Sequence, residues 1–385
     1  MDRRHLLSDQ DEPTAGPAYH RPAVSTAGQW TGAGAEATAP PIEDMPTVPG
    51  YENLGPGYND VPPPPGGYQH PQPPAISPTR CWDIPAISEE LAREAFTEYA
   101  TSSCCYSSKP PKEMVLTDLQ ALNTYRYRLE TFTESRSTEW ASEPYNGQLV
   151  DGMSGVAPGP WDVAVSVPTL FLDSEMDIRI PHTASIKGCH SCLNLGKSAC
   201  NRCVTSGRIQ CEMCGGSGAD TSDQRCCSCN GLGRVKCRDC SGVGSTPCAT
   251  CQGRGQLLCY VKLKIKWTNN IYVQVMDKRS GFPVDLLDSV AGETLLTDMN
   301  ALVYPVSSFP DEAVNTASRK AVQEHQAQFS TSCRILQQRQ TIELIPVTRV
   351  HYAWKEKTHI FFVYGVEHKV FTKDYPAKCL CCTIS

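Results

Sequence analysis

The sequence predicts an α+β fold: a β-rich domain, an elongated cysteine-rich β-hairpin inserted in it, and a disordered segment ahead of both. Three observations predict this. Of 385 residues 21 are cysteine, and most of them fall in one stretch at a regular step. Alternating apolar residues flank that stretch on both sides. Prolines and glycines crowd the first 80 positions, which hold 16 of 30 prolines and 9 of 28 glycines. Charged residues are 20 % of the chain and the net charge is −6, a balance that argues against a generally basic, nucleic-acid-coating protein.

Taken in chain order, residues 1–80 lack the bulky aliphatic residues needed to offset ordering entropy and are expected to be disordered. Asp2-x-x-x-Leu6-Leu7 has the form of an acidic dileucine sorting signal. Val61-Pro62-Pro63-Pro64-Pro65 is a short polyproline stretch of the kind an SH3-type partner binds; a solvated spacer is the plainer reading. The first residues carry no apolar stretch of the secretory type, and no apolar run approaches the roughly 18 residues of a membrane span. A cytoplasmic or nuclear location follows, where clustered cysteines bind metal or act in redox chemistry rather than form disulfides.

The β-rich domain is expected over 81–376. Ser88 caps a helix whose first turn holds Glu89 and Glu90. Tyr125 to Thr133 alternates in the manner of a strand, and Trp161 to Ile180 carries Val163, Val165, Val167, Ile178 and Ile180, again read as strand. Val261, Leu263, Ile265 and Trp267 alternate after the cysteine stretch. Asp311 to Phe329 reads as helix, and Val347 to Phe371 as a hairpin turning at Lys355-Glu356-Lys357-Thr358.

Between the strands, six Cys-x-x-Cys pairs occupy 189–251: Cys189/Cys192, Cys200/Cys203, Cys211/Cys214, Cys226/Cys229, Cys237/Cys240 and Cys248/Cys251. Their first cysteines step by 11, 11, 15, 11 and 11 residues, an internal repeat with its one irregular step in the middle. The last four pairs continue as Cys-x-x-Cys-x-Gly-x-Gly, whereas the first two keep only the second glycine, Gly196 and Gly207. Two cysteines three apart wrap half of a tetrahedral Zn²⁺ site from one tight knuckle. Twelve thiolates therefore make three Cys₄ zinc sites. Pairing sequence neighbours leaves seven residues between knuckles, below the usual spacing of roughly 15–20. An antiparallel hairpin with the long step at its tip instead pairs Cys189/Cys192 with Cys248/Cys251, Cys200/Cys203 with Cys237/Cys240, and Cys211/Cys214 with Cys226/Cys229.

Other chemistries fare worse. Residues 187–256 hold nine Lys and Arg against four Asp and Glu, which taken alone suggests nucleic-acid binding. Twelve thiolates and three Zn²⁺ bring that charge to about −1 and remove the argument. A thiol oxidoreductase needs a low-pKa cysteine at a helix start, and no pair here precedes a helical pattern. Paired acid and base residues and phosphate loops are also lacking, so the chain is expected not to be an enzyme. His190 and Cys227, inside two knuckles, are read as bystanders.

These residues resemble the cysteine-rich domain of DnaJ-type co-chaperones, in which the same motif recurs four times and outer and inner pairs share zinc. That resemblance implies a zinc arm, here 187–256, set within a β-rich domain that binds other proteins. The chain departs from it in having six knuckles and no J-domain: its nearest approach to His-Pro-Asp is His70-Pro71-Gln72. Stimulation of a partner ATPase is therefore not carried over. The six-knuckle insert, the β segment before it and the ending Val350-His351-Tyr352, Val363-Tyr364-Gly365, Lys369-Val370-Phe371 and Tyr375-Pro376 together resemble the Ssu-two homologue family. This resemblance implies a non-enzymatic zinc protein, chaperone-like or adaptor in role, with an association with tooth development.

The tail 377–385 ends Cys379-Leu380-Cys381-Cys382-Thr383-Ile384-Ser385. Cys382 opens a C-terminal prenylation box of the farnesyl type, and Cys379 and Cys381 would supply a second lipid by palmitoylation. The tail thus offers an alternative reading, a lipid-anchored scaffold at a membrane, beside that of a solvated tail whose cysteines fall there by chance.

Overall fold

The computed structural model describes residues 45, 47–52, 54–55, 57–64, 84–276 and 281–378. Two long strands form its spine. β3 (Thr124–Pro144) and β10 (Gln256–Met276) run antiparallel in unbroken register from Leu257 opposite Pro144 to Met276 opposite Tyr125. Alternation explains β10: Val261, Leu263, Ile265 and Trp267 point one way into a buried cluster, while Lys262 and Lys264 point the other way toward Glu139 and Glu175.

Five further strands complete this sheet. β12 (Arg334–Ile345) pairs with β3 and β11 (Glu293–Asn300) with β12, giving the order β11-β12-β3-β10. β4 (Ser174–Arg179) and β5 (Ser185–Gly188) pair with successive parts of β10 on its other side. β1 (Asn59–Val61) extends β3 where β12 has ended. A second sheet has the order β15-β14-β13-β2, from Lys369–Phe371, Lys357–Tyr364, Val347–Trp354 and Val115–Ala121.

Helices cover both sheets. α1 (Glu89–Ser102) is capped by Ser88, whose side chain accepts from the Leu91 amide at 3.3 Å, and its Phe96 stacks on Phe361 of the second sheet at 4.2 Å. The short α2 (Lys109–Glu113) follows. α3 (Glu312–Phe329), capped by Asp311, packs Val314, Ala317 and Ala321 against Tyr127, Leu129, Ile342 and Leu344. Under α3 lies a buried polar layer in which Ser318 donates to the hydroxyl of Tyr127 and His325 Nδ1 meets Thr131 Oγ1 at 2.7 Å. Among the described residues, no helix is long and apolar enough to cross a membrane.

The structure differs from the sequence-based expectation in two places. Residues 161–173 form turns and irregular chain rather than strand, and only Ser174–Arg179 pairs. Within the segment 1–80 expected to be disordered, the described residues Val48, Tyr51 and Leu54 are buried beside Ile180 and Trp267, and β1 is hydrogen-bonded to β3. A composition averaged over 80 positions hides three well-placed apolar residues.

Between β5 and β10 the chain runs out and returns. β6 (Lys197–Ala199) pairs with β9 (Ser245–Pro247), and β7 (Arg208–Gln210) with β8 (Arg234–Lys236), all antiparallel. A bridge between Ala219 and Arg225 lies beyond them. The cysteine knuckles sit between these nested ladders.

Candidate metal centres

Each knuckle repeats one local geometry. After the second cysteine, the first, second and fourth residues take positive φ: Ser241, Gly242 and Gly244 in one knuckle, Leu193, Asn194 and Gly196 in another. The fourth residue is always glycine, and its surroundings require it. A Cβ there would lie inside van der Waals contact of the facing knuckle's carbonyl, 2.6 Å from the Gly231 oxygen in the case of Gly218. At the second residue the neighbours are side chains: a Cβ on Gly216 would press Gln210 at 2.7 Å and one on Gly231 would press Arg225 at 3.0 Å, while two other knuckles leave ordinary room. A Cβ on Gly253 would meet the side chain of Pro247 at 3.5 Å and one on Gly242 that of Lys236 at 3.5 Å. Asn194 and Thr205 therefore occupy this position in the first two knuckles at φ of 69° and 66°.

The turn aims amides at sulfur. The fourth-position amide donates to the second cysteine: Gly196 to Cys192, Gly233 to Cys229, Gly244 to Cys240 and Gly255 to Cys251 at 3.2 Å, and Gly218 to Cys214 at 3.4 Å. Hydrogen bonds of this kind favour the thiolate.

Across the ladders the twelve cysteines form three groups: Cys189, Cys192, Cys248 and Cys251; Cys200, Cys203, Cys237 and Cys240; Cys211, Cys214, Cys226 and Cys229. In each group all four sulfurs lie within 4.8 Å of one another. The facing separations are 3.9 and 3.7 Å in the first group, 3.7 and 3.6 Å in the second, and 3.9 and 3.7 Å in the third. A tetrahedron of sulfurs about 2.3 Å from a central ion has edges of about 3.8 Å. Eleven of the twelve are buried and Cys214 is half-buried. Each group can hold a metal ion, and the pairing is that of the antiparallel arrangement, not that of sequence neighbours.

The electrostatics suit a cation among the sulfurs. At Cys214 burial opposes ionisation, but amides of Gly218 and Gly216 outweigh it and bring the thiol down to about 6. Burial likewise opposes ionisation at Cys240, and amides of Gly244 with the Cys203 thiol bring it to about 7. Its neighbour Cys203 is pushed up to about 12, chiefly by burial and then by the surrounding thiols. In the first group Cys248 falls to about 6 while burial drives Cys189 up to about 12. Four sulfurs this close cannot all ionise unless a positive charge sits among them.

The first group also touches the body of the protein: Leu257, Cys259 and Met45 pack against its cysteines. Sequence reasoning assigned no part to Met45 or Cys259. The register of β5 against β10 places Cys259 there, and Met45 lay within the segment taken as disordered. Cys227 is exposed, outside the third group. Of the polyproline stretch, Val61 belongs to β1 and Pro62 and Pro64 are exposed; Pro65 lies outside the described residues, as do Asp2, Leu6, Leu7, Cys379, Cys381 and Cys382.

Comparison with known proteins adds relatives. No family model matches the chain, and no solved structure matches it. Protein SSUH2 homolog of Danio rerio is 54 % identical over 350 residues, covering 90 % of this chain and 97 % of the relative. The human protein of that name is 44 % identical over 360 residues, with 90 % and 94 % covered, and the Mus musculus one is 42 % identical over 267 residues, with 67 % and 78 % covered. Identity of this degree takes in the β body and the cysteine knuckles together, and on it the chain belongs to the SSUH2 homolog family.

Proposed function

We propose that this chain is a non-enzymatic zinc protein whose nested ladders form one elongated, DnaJ-like arm that binds other proteins. The all-cysteine composition of the three four-sulfur groups carries the reading. Four thiolates saturate a tetrahedral ion and leave no open position for water or substrate, which is the character of a structural site. Zn²⁺ suits the donor set and the sulfur separations. Protein binding is supported by apolar side chains that the knuckles expose: Leu193 and Leu195 in the first group, Val204 and Val243 in the second, Met213 and Leu232 in the third. A chaperone-like or adaptor role follows from such a surface, working in the cytosol or nucleus, or at a membrane if the tail carries lipid.

Two measurements test the reading. Metal analysis of the purified chain should find about three zinc ions per molecule; one or none refutes the three-site arm. The zinc-loaded protein should also slow aggregation of a thermally unfolding model client. Leu195→Ser with Leu232→Ser and Val243→Ser should weaken that effect without loss of zinc. Unchanged protection in this variant would refute the arm as the binding surface.

A further inference from the structure

The ladder of β7 and β8 turns one face to the sulfurs and the other to solvent. Ile209 packs on the second cysteine group and Val235 on the third. Side chains alternate along a strand, so Arg208, Gln210, Arg234 and Lys236 share the opposite face, and all four are exposed. The register sets Arg208 directly across from Lys236, and Gln210 across from Arg234. Residues so opposed lie about 4.5–5.5 Å apart at Cβ, and like charges there are destabilising. Among the described residues, no carboxylate lies within ion-pair distance of these three cations. The arm's ion pairs are those of Arg202 with Asp239 and Glu212, and Asp220 accepts from amides of its own turn.

One position in the repeat carries a cation on every rung. The fifth residue after the second cysteine of an outgoing knuckle pairs with the residue just before the facing knuckle: Lys197 with Pro247, Arg208 with Lys236, Ala219 with Arg225. Pro247 and Ala219 fill this position as well as a cation does, so the ladder geometry does not demand the charges. Exposed apolar residues accompany them, with Leu232 two residues before Arg234 and Val204 four before Arg208.

The kind of partner follows from what the arm holds and lacks. Residues 187–256 include no Phe, Tyr or Trp, so unpaired nucleic-acid bases find no ring on which to stack. A cluster of cations beside apolar side chains instead complements an acidic stretch of polypeptide. In an extended chain every second side chain shares a face at about 6.6 Å intervals, so acidic residues at alternate positions can meet Arg208 and Arg234 in turn. On the reading of the arm as a protein-binding element, we propose that the outer face of the β7–β8 ladder, through Arg208, Arg234 and Lys236, docks an acidic extended segment of a partner protein.

Fluorescence anisotropy of the zinc-loaded full chain tests this, with a labelled peptide in which Glu alternates with Ser and Leu. The peptide should bind, less tightly as salt is added, and the same peptide with Gln for Glu should not. Arg208→Gln with Arg234→Gln and Lys236→Gln should weaken binding by about tenfold, since each exposed ion pair contributes little and three act together. That variant should keep the parent's zinc content. Removing equal charge from the body, by Lys112→Gln with Lys320→Gln and Lys355→Gln, should leave binding unchanged. Equal binding of the Glu and Gln peptides, or by arm variant and parent, overturns the proposal. Loss of zinc from the arm variant also overturns it, since the cations would then support the metal centres. So does tighter binding of a single-stranded oligonucleotide than of the acidic peptide through the same three residues. A parent that ignores the peptide yet still slows aggregation of an unfolding client overturns this docking site alone and leaves the arm standing as a protein-binding surface.

Discussion

Gly242 and Gly244 stand two residues apart in one knuckle, with φ of 88° and 87°, yet only one of them is irreplaceable. Both sit in left-handed backbone, where a side chain costs about 1–2 kcal/mol. At Gly244 the added Cβ would also press into the Thr205 carbonyl, and displacing it would disturb the amide that donates to Cys240. At Gly242 the nearest neighbour is the flexible Lys236 stem at 3.5 Å. Gly244→Ala should therefore weaken zinc retention at the second group by at least about tenfold, or about 1.4 kcal/mol, relative to Gly242→Asn. Competition with a chromophoric chelator measures it. Equal losses in the two variants would show that backbone conformation alone, not room, makes the motif. The same contrast accounts for what could be read at this scale. The grouping of the twelve cysteines into three sets of four was legible because the repeat step is regular and its long interval central. The missing glycines of the first two knuckles were legible only as departures, since their tolerance depends on which neighbour faces the Cβ.

At the scale of elements, long irregular chain is held to the sheet by one buried ion pair. Arg136 and Glu134 lie on the same side of β3, 3 % exposed at each side chain and 2.6 Å apart. Arg136 also donates to the carbonyls of Pro160 and Val163 at 2.6 and 2.9 Å and lies 4.7 Å from the Trp161 ring. Removing one partner leaves the other's charge buried, so Arg136→Ala should cost about 3–5 kcal/mol by chemical denaturation. Pairing Arg136→Met with Glu134→Gln should recover part of that loss; a double variant no better than Arg136→Ala would mean that the carbonyl contacts, not the pair, dominate. This arrangement explains a misread element. Val163 and Val165 carry a strand-like pattern, but they cap the sheet's buried cluster as loop residues tied by Arg136. β12 escaped notice for the opposite reason. Its inward positions include Gln338 and Gln340, which bond Thr131 Oγ1 and the Tyr304 carbonyl, so its buried face does not read as apolar. β10, whose inward positions from Val261 to Trp267 are all apolar, was plain.

For the whole molecule, the distribution of apolar packing predicts how the parts fail. The body owns four clusters of aromatic and aliphatic side chains that include none of the twelve arm cysteines. The second and third cysteine groups have only Ile209 and Val235 beside the sulfurs. So little apolar area cannot hold three-residue ladders together, and metal bound there would supply the folding free energy. The first group is different, because Leu257 and Cys259 of β10 are fully buried against it. Chelator should therefore unfold the arm from its far end while leaving the body intact. In hydrogen exchange, amides over 200–240 should lose protection first, those around Cys189 and Cys251 last, and the paired amides of β3 and β10 should not change. Falling pH should act in the same order, since protons compete with the ion for each thiolate. Loss of protection in β3 and β10 together with the arm would mean that the metal centres support the whole fold, and the division into a self-sufficient body and a metal-held arm would be wrong.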